Sequence, residues 1–113
     1  MSTIAIELAQ KQLDAYNAQN IEEFLEAYSE DVQVLEFPSN IITYTGIEKM
    51  RERYTKLFND NPNQHAELRS RIARNNIVID HEHVTGRANG VESEAVAMYE
   101  VINDKITKVW FIK

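Results

Sequence analysis

Apolar positions are densest at the end of the chain, in ESEAVAMYEVINDKITKVWFIK, residues 92–113. Two runs, Ala95 to Ile102 and Ile106 to Ile112, are rich in Val, Ile, Tyr, Trp and Phe, which is strand composition. They flank Asn103-Asp104, a pair that tolerates the positive φ of a two-residue hairpin turn. Strict alternation about that turn sets Val101 across from Ile106 and Ala97 across from Trp110. One face then carries Ala95, Ala97, Tyr99, Val101, Ile106 and Trp110. The other carries Val96, Met98, Ile102, Val109 and Phe111, interrupted by Glu100. Both faces need cover. The hairpin is therefore expected in the middle of a sheet, with the core on one side and a second copy of the chain on the other.

The rest of the chain alternates between two periods. Residues Thr3 to Ala18 lack Gly and Pro, and Ile4, Leu8, Ala15 with Ile6, Ala9, Leu13, Tyr16 make a broad apolar side, which predicts a helix. Asn20 with Glu23 three residues on is a capping-box pattern for a second, short helix bearing Ile21, Phe24, Leu25 and Tyr28, ended by Ser29-Glu30-Asp31. Val32 to Phe37 reads as a strand, Pro38-Ser39-Asn40 as a turn, and Ile41 to Tyr44 as a short strand or extended loop. Thr45-Gly46-Ile47-Glu48 is a second capping box, before a helix that stripes Ile47, Met50, Tyr54, Leu57 and Phe58. His65 to Arg74 and Ile77 to Thr85 read as strands separated by Asn75-Asn76, and Gly86 to Gly90 as a turn. The order α, α, β, β, α and then strands predicts one α+β domain over residues 1–113, with helices on one side of a curved sheet.

Composition narrows the functional classes. A formal net charge of −6 in 113 residues argues against nucleic acid or an anionic membrane as partner. Without cysteine there is neither a disulfide nor a thiolate metal site. The start MSTIAIELAQKQ lacks the basic-then-apolar pattern of a signal peptide, and no apolar stretch is long enough to span a bilayer. The expectation is a cytoplasmic protein.

Three stretches resemble the nuclear-transport-factor-2-like superfamily, within it the ketosteroid-isomerase and SnoaL-like polyketide-cyclase branch. They are LDAYNAQNIEEFLEAYSEDVQV, TGIEKMRERY at the third helix, and the ending YEVINDKITKVWFI. The resemblance implies a cone-shaped, cystatin-like barrel: three helices close a strongly curved, mostly antiparallel sheet and leave a pocket at one end. It also implies a homodimer through the outer sheet face and a small hydrophobic ligand. Ketosteroid isomerases use an aspartate base, a tyrosine and a protonated aspartate that hold the enolate oxygen. Position by position, the base falls on Glu36 and the supporting tyrosine on Tyr54. The oxyanion tyrosine falls on Gln12, one helical turn before Tyr16, and the protonated aspartate on Ala97 or Met98. The resemblance thus implies a base and a helper without the two main oxyanion donors, and hence poor turnover of a 3-oxo-Δ5 steroid.

The candidate chemistry follows. Glu36, with apolar neighbours Leu35, Phe37 and Pro38, suits a general base. In Asp80-His81-Glu82-His83, alternation sets Asp80 and Glu82 on one face and His81 and His83 on the other. Two adjacent carboxylates disfavour double ionisation, so one of them can hold a proton. Two His at i, i+2 could ligate a metal with a third group, but no third His is nearby in sequence, and no metal or cofactor is expected. Counting from Gly86 as the family does, Asp80 and Glu82 face the pocket. Tyr16, Tyr54, Tyr99 and Trp110 are polar-tipped aromatics that can line it. The expected catalytic residues are Glu36, Tyr54 and Glu82, and the expected ligand contacts Gln12, Tyr16, Asp80, Tyr99 and Trp110. The expected activity is that of a cofactor-independent acid–base isomerase or cyclase. The rival reading is a non-catalytic small-molecule-binding or dimeric accessory module.

Overall fold

A computed structural model describes residues 3–112. Helix α1 (Thr3–Ala18) buries Ala5, Ala9, Gln12, Leu13 and Ala15, while Ile4 and Ile6 remain exposed. Its small buried residues let the helix lie close to the sheet. The Asn20 side chain accepts from the Glu23 N–H and caps α2 (Ile21–Glu26), as the local pattern predicts.

The chain then leaves the helix earlier than Ser29-Glu30-Asp31 suggests. Strand β1 runs Tyr28–Phe37. The Ala27 carbonyl accepts from the Ile106 N–H, Tyr28 pairs with Ile106, and the Tyr28 phenol bonds Gln12. These distant partners outweigh the local turn residues. Strand β2 (Ile42–Thr45) precedes α3 (Ile47–Asp60). The expected Thr45–Glu48 capping box does not form: the cap is Gly46 at φ 101°, with no side-chain cap bond. Thr45 is held in the ladder opposite Gln33, and the Gly46 N–H bonds the Val32 carbonyl. Among the described residues, no helix is long and apolar enough to cross a membrane.

Strands β3 (His65–Arg74), β4 (Ile77–Thr85), β5 (Ser93–Ile102) and β6 (Lys105–Ile112) complete one sheet in the order β2-β1-β6-β5-β4-β3. All pairs are antiparallel except β1 with β6. Among the described residues β2 and β3 are the edges, so the sheet is not closed into a barrel. It is the curved, helix-covered α+β sheet of the cystatin-like cone.

The terminal hairpin turns where expected, at Asn103 (φ 53°) and Asp104 (φ 63°). Ile102 pairs with Lys105 beside the turn, and the next pair, Val101 with Ile106, is also as expected. Beyond it the register shifts. Glu100 pairs with Lys108, leaving Thr107 unpaired, with its hydroxyl donating to the Glu100 carbonyl. That bulge inverts the alternation of β6. Ala97 therefore faces Phe111, not Trp110, and Trp110 faces Met98. Val109 and Phe111 join the inner face, and Trp110 moves to the outer one. A core follows around Phe24, whose ring centroid lies 4.5 Å from that of Tyr54 and 5.1 Å from that of Tyr28.

Candidate functional site

Two neighbouring cavities open between the helices and the inner sheet face. They share Tyr54, Leu57 and Phe111. The inner one, about 160 Å³, is lined also by Gln12, Tyr16, Tyr28, Glu82, Arg87 and Tyr99. The outer one, about 290 Å³, is lined also by Val34, Glu36, Tyr44 and Arg53.

Strand β4 supplies the carboxylates. Its alternation turns Val78, Asp80, Glu82 and Val84 inward. His81 and His83 point to the opposite face, where His81 Nε2 lies 3.2 Å from Glu94 Oε1 and His83 Nδ1 lies 3.0 Å from Arg69. The two inward carboxylates have different fates. Asp80 is fully buried and held by Arg71 through two bonds, Nε to Oδ1 at 2.7 Å and Nη2 to Oδ2 at 2.9 Å. Arg71 also donates to Gln10 Oε1 at 2.9 Å, tying α1 to the sheet. A register shift in β3 between Leu68 and Ser70 sets Arg71 opposite Asp80. Asp80, an expected ligand contact, lines neither cavity, and both its oxygens are engaged in an ion pair.

Glu82 is different. It is 9% exposed, and Oε2 is buried with no hydrogen-bond partner among the described residues. Burial pushes its carboxyl up to about 7; the charge of Asp80 adds to this and that of Arg71 opposes it. At neutral pH it exists in comparable acid and base forms.

The phenols around it stay neutral. Burial pushes Tyr16 up to about 12, with the nearby Arg87 opposing. Burial also holds Tyr28, Tyr54 and Tyr99 well above the usual tyrosine range. Gln12 bridges two of them. Tyr28 donates to its Oε1 at 3.1 Å, and its Nε2 donates to the Tyr99 hydroxyl at 3.1 Å and to the Ala9 carbonyl at 3.0 Å. Tyr16 and Tyr54 are the phenols that this bridge leaves out.

Glu36 lies opposite Phe111 in the β1–β6 register and lines the outer cavity, half-buried. It is separated from Glu82 by the residues the two cavities share. Trp110, an expected ligand contact, lines neither cavity. The bulge at Thr107 puts it on the outer face, where Nε1 donates to Asn40 Oδ1 at 3.0 Å.

The structure thus gathers Gln12, Tyr16, Tyr54, Glu82 and Tyr99 around one cavity and adds residues that sequence reasoning missed. Tyr28 is hidden in sequence because it reads as part of α2. Phe111 is hidden because strict alternation turns it outward. Arg87 sits in the turn after β4, where one arginine among turn residues carries no pattern. Gly86 places it: at φ +77°, a Cβ there would lie 2.0 Å from the Asn63 carbonyl oxygen, so only glycine fits.

The family described as the SnoaL-like domain matches residues 9–109. No functionally curated protein matches the sequence. Among solved structures, the chain is similar to an uncharacterised cystatin-fold protein from Novosphingobium aromaticivorans, at 26% identity and TM-score 0.86, covering 96% of this chain and 97% of that one. It is similar in fold to a candidate ketosteroid isomerase from Kribbella flavida, at 18% identity and TM-score 0.80, covering 96% and 76%. An LEH-like epoxide hydrolase from M. tuberculosis shares the fold at 13% identity and TM-score 0.82, covering 97% and 82%.

Proposed function

The chain belongs to the SnoaL-like domain family, and on that premise we propose that it binds a small hydrophobic molecule in the inner cavity and exchanges a proton with it through Glu82. The observation that carries this reading is the buried, unpartnered Glu82 Oε2 at the cavity wall. A general acid–base group works best when its pKa lies near the operating pH, and burial has brought Glu82 there. The carboxylate form takes a proton from a carbon beside a carbonyl, and the acid form returns it elsewhere on the same skeleton. Return of the proton to another carbon completes an isomerisation; attack of the enolate carbon on a second carbonyl of the same molecule, with the proton passed to that carbonyl's oxygen, completes a ring closure. Charge developing on the carbonyl oxygen needs donors that stay protonated, and the Tyr16 and Tyr54 phenols are of that kind. Glu36, in the outer cavity, meets the part of the ligand that extends past Phe111.

An enolisable bicyclic ketone, 2-tetralone, tests the proposal. The wild type is expected to speed its α-proton exchange in deuterated buffer, followed by NMR. Glu82→Gln should lower that rate by a factor on the order of a hundred. Unchanged exchange in Glu82→Gln, with a loss in Glu36→Gln, would move the base to the outer cavity. Saturable binding without exchange would favour the non-catalytic module.

Self-association belongs to the same proposal. The outer sheet face presents Met98, Val96 and Trp110, half-buried, beside Ile102 at 47% exposure. An apolar face of this kind suits a two-fold pairing of sheets. Sedimentation equilibrium at micromolar concentration is expected to give a dimer; monomer alone would remove this part of the proposal.

A further inference from the structure

The inner cavity contains a cation that the fold does not neutralise. Arg71 is matched by Asp80, Arg51 by Glu22 and Arg69 by Glu67. Arg87 has no ion-pair partner among the described residues, and its Nε is buried with no hydrogen-bond partner among them. A buried donor without an acceptor is costly, and a ligand oxygen at that place would remove the cost.

The surrounding groups leave the charge standing. Glu82 faces the cavity from β4 and is mostly protonated below about pH 7. Asp80 lies beside it on the same strand face, already bound by Arg71 of β3. Tyr16 of α1, Tyr54 of α3, Tyr28 of β1 and Tyr99 of β5 are neutral phenols. The Gln12 amide is occupied by Tyr28 and Tyr99. With Glu82 protonated, the lining therefore carries one net positive charge, on Arg87. A guanidinium presents a planar fork that fits a carboxylate. The remaining wall is aromatic and aliphatic, through Tyr54, Leu57 and Phe111, and the outer cavity continues beyond those residues.

We propose that the ligand of this cavity is an aromatic acid that also bears the enolisable ketone, its carboxylate held by Arg87 and its rings against Phe111 and Leu57. The inference rests on the inner cavity being the ligand site. It also sets a direction for pH. Ionisation of Glu82 places a second negative charge beside the bound carboxylate, so binding weakens as pH rises through about 7.

Calorimetric titration with 2-naphthoate and its neutral isostere 2-naphthamide tests this. Near pH 6 the wild type is expected to bind the acid about tenfold or more tightly than the amide, the size expected of a charge-assisted pair. In Arg87→Met the ratio should fall to near one. In the wild type, acid binding should weaken between pH 6 and 8, and in Glu82→Gln it should not. A ratio near one in the wild type, or a ratio that survives Arg87→Met, would overturn the inference. Failure of the folded wild type to bind either compound would overturn the ligand-site reading beneath it. Both readouts are of binding, so loss of proton exchange alone leaves this inference standing.

Discussion

Replacing Arg71 by methionine is expected to lower the unfolding free energy by roughly 3–5 kcal/mol, the range for removing one partner of a buried ion pair. The reason is asymmetric burial. Asp80 is fully buried and keeps both oxygens bonded through Arg71, whereas the Arg71 side chain is 14% exposed and also holds Gln10. Methionine preserves much of the arginine stem and removes only the fork. It strands a carboxylate away from solvent. Asp80→Ala should cost less, since the freed guanidinium can still turn to solvent and to Gln10. Combining Arg71→Met with Asp80→Leu should recover most of the loss, because two packed apolar side chains leave no orphan charge. Urea unfolding of the wild type and the three variants at pH 7 measures all of this. A loss below about 1 kcal/mol in Arg71→Met, typical of an exposed pair, would mean that the ion pair is not what binds β3 and α1 to β4.

Glu82 is expected to make the fold less stable as pH rises. Its carboxyl titrates at about 7 in the folded chain, against an ordinary value of 4.5. Between those values the folded state holds more protons than the unfolded state, so stability falls with increasing pH across that window. The penalty is absent below about pH 4.5 and complete above about pH 7. A displacement of this size corresponds to about 3 kcal/mol. Glu82→Gln keeps the shape and cannot ionise. It should therefore match the wild type near pH 4.5 and exceed its stability by up to about 3 kcal/mol near pH 8. The difference between the two proteins, followed by urea unfolding across this range, isolates Glu82 from the other carboxylates. A flat difference would show that its ionised form is well solvated, and would remove the physical basis for its role in proton exchange. The same burial that destabilises the ionised fold is what suits the group to acid–base work.

The helices and strands were legible where the signal is local. Asn20 caps α2 because a side chain and a backbone N–H three residues apart need no distant partner. Asn103-Asp104 turns the hairpin because both residues accept positive φ. That Asp80 and Glu82 share one face of β4 and His81 and His83 the other was legible because the period of a strand is 2 and β4 is regular over its whole length; which face points inward was implied only by the family resemblance.

Several other features had no local signal. The bulge at Thr107 is an insertion in a ladder, visible only against the partner strand, yet it exchanges the faces of Trp110 and Phe111. Thr45 lost its cap role to a ladder with β1, and Tyr28 left its helix for a parallel pairing with β6, on which Ala27 and Ile106 also converge. The split between Asp80 and Glu82 depends on Arg71, nine residues before Asp80 and brought opposite it by an irregular β3. By itself, then, the amino-acid sequence determined the element order, the hairpin turn and the presence of two carboxylates on one strand face, because periodicity and backbone preference act over a few residues. Which carboxylate is neutralised, which aromatic faces the cavity and that Arg87 enters it were decided by the tertiary structure, because each depends on the register of strands paired across the chain.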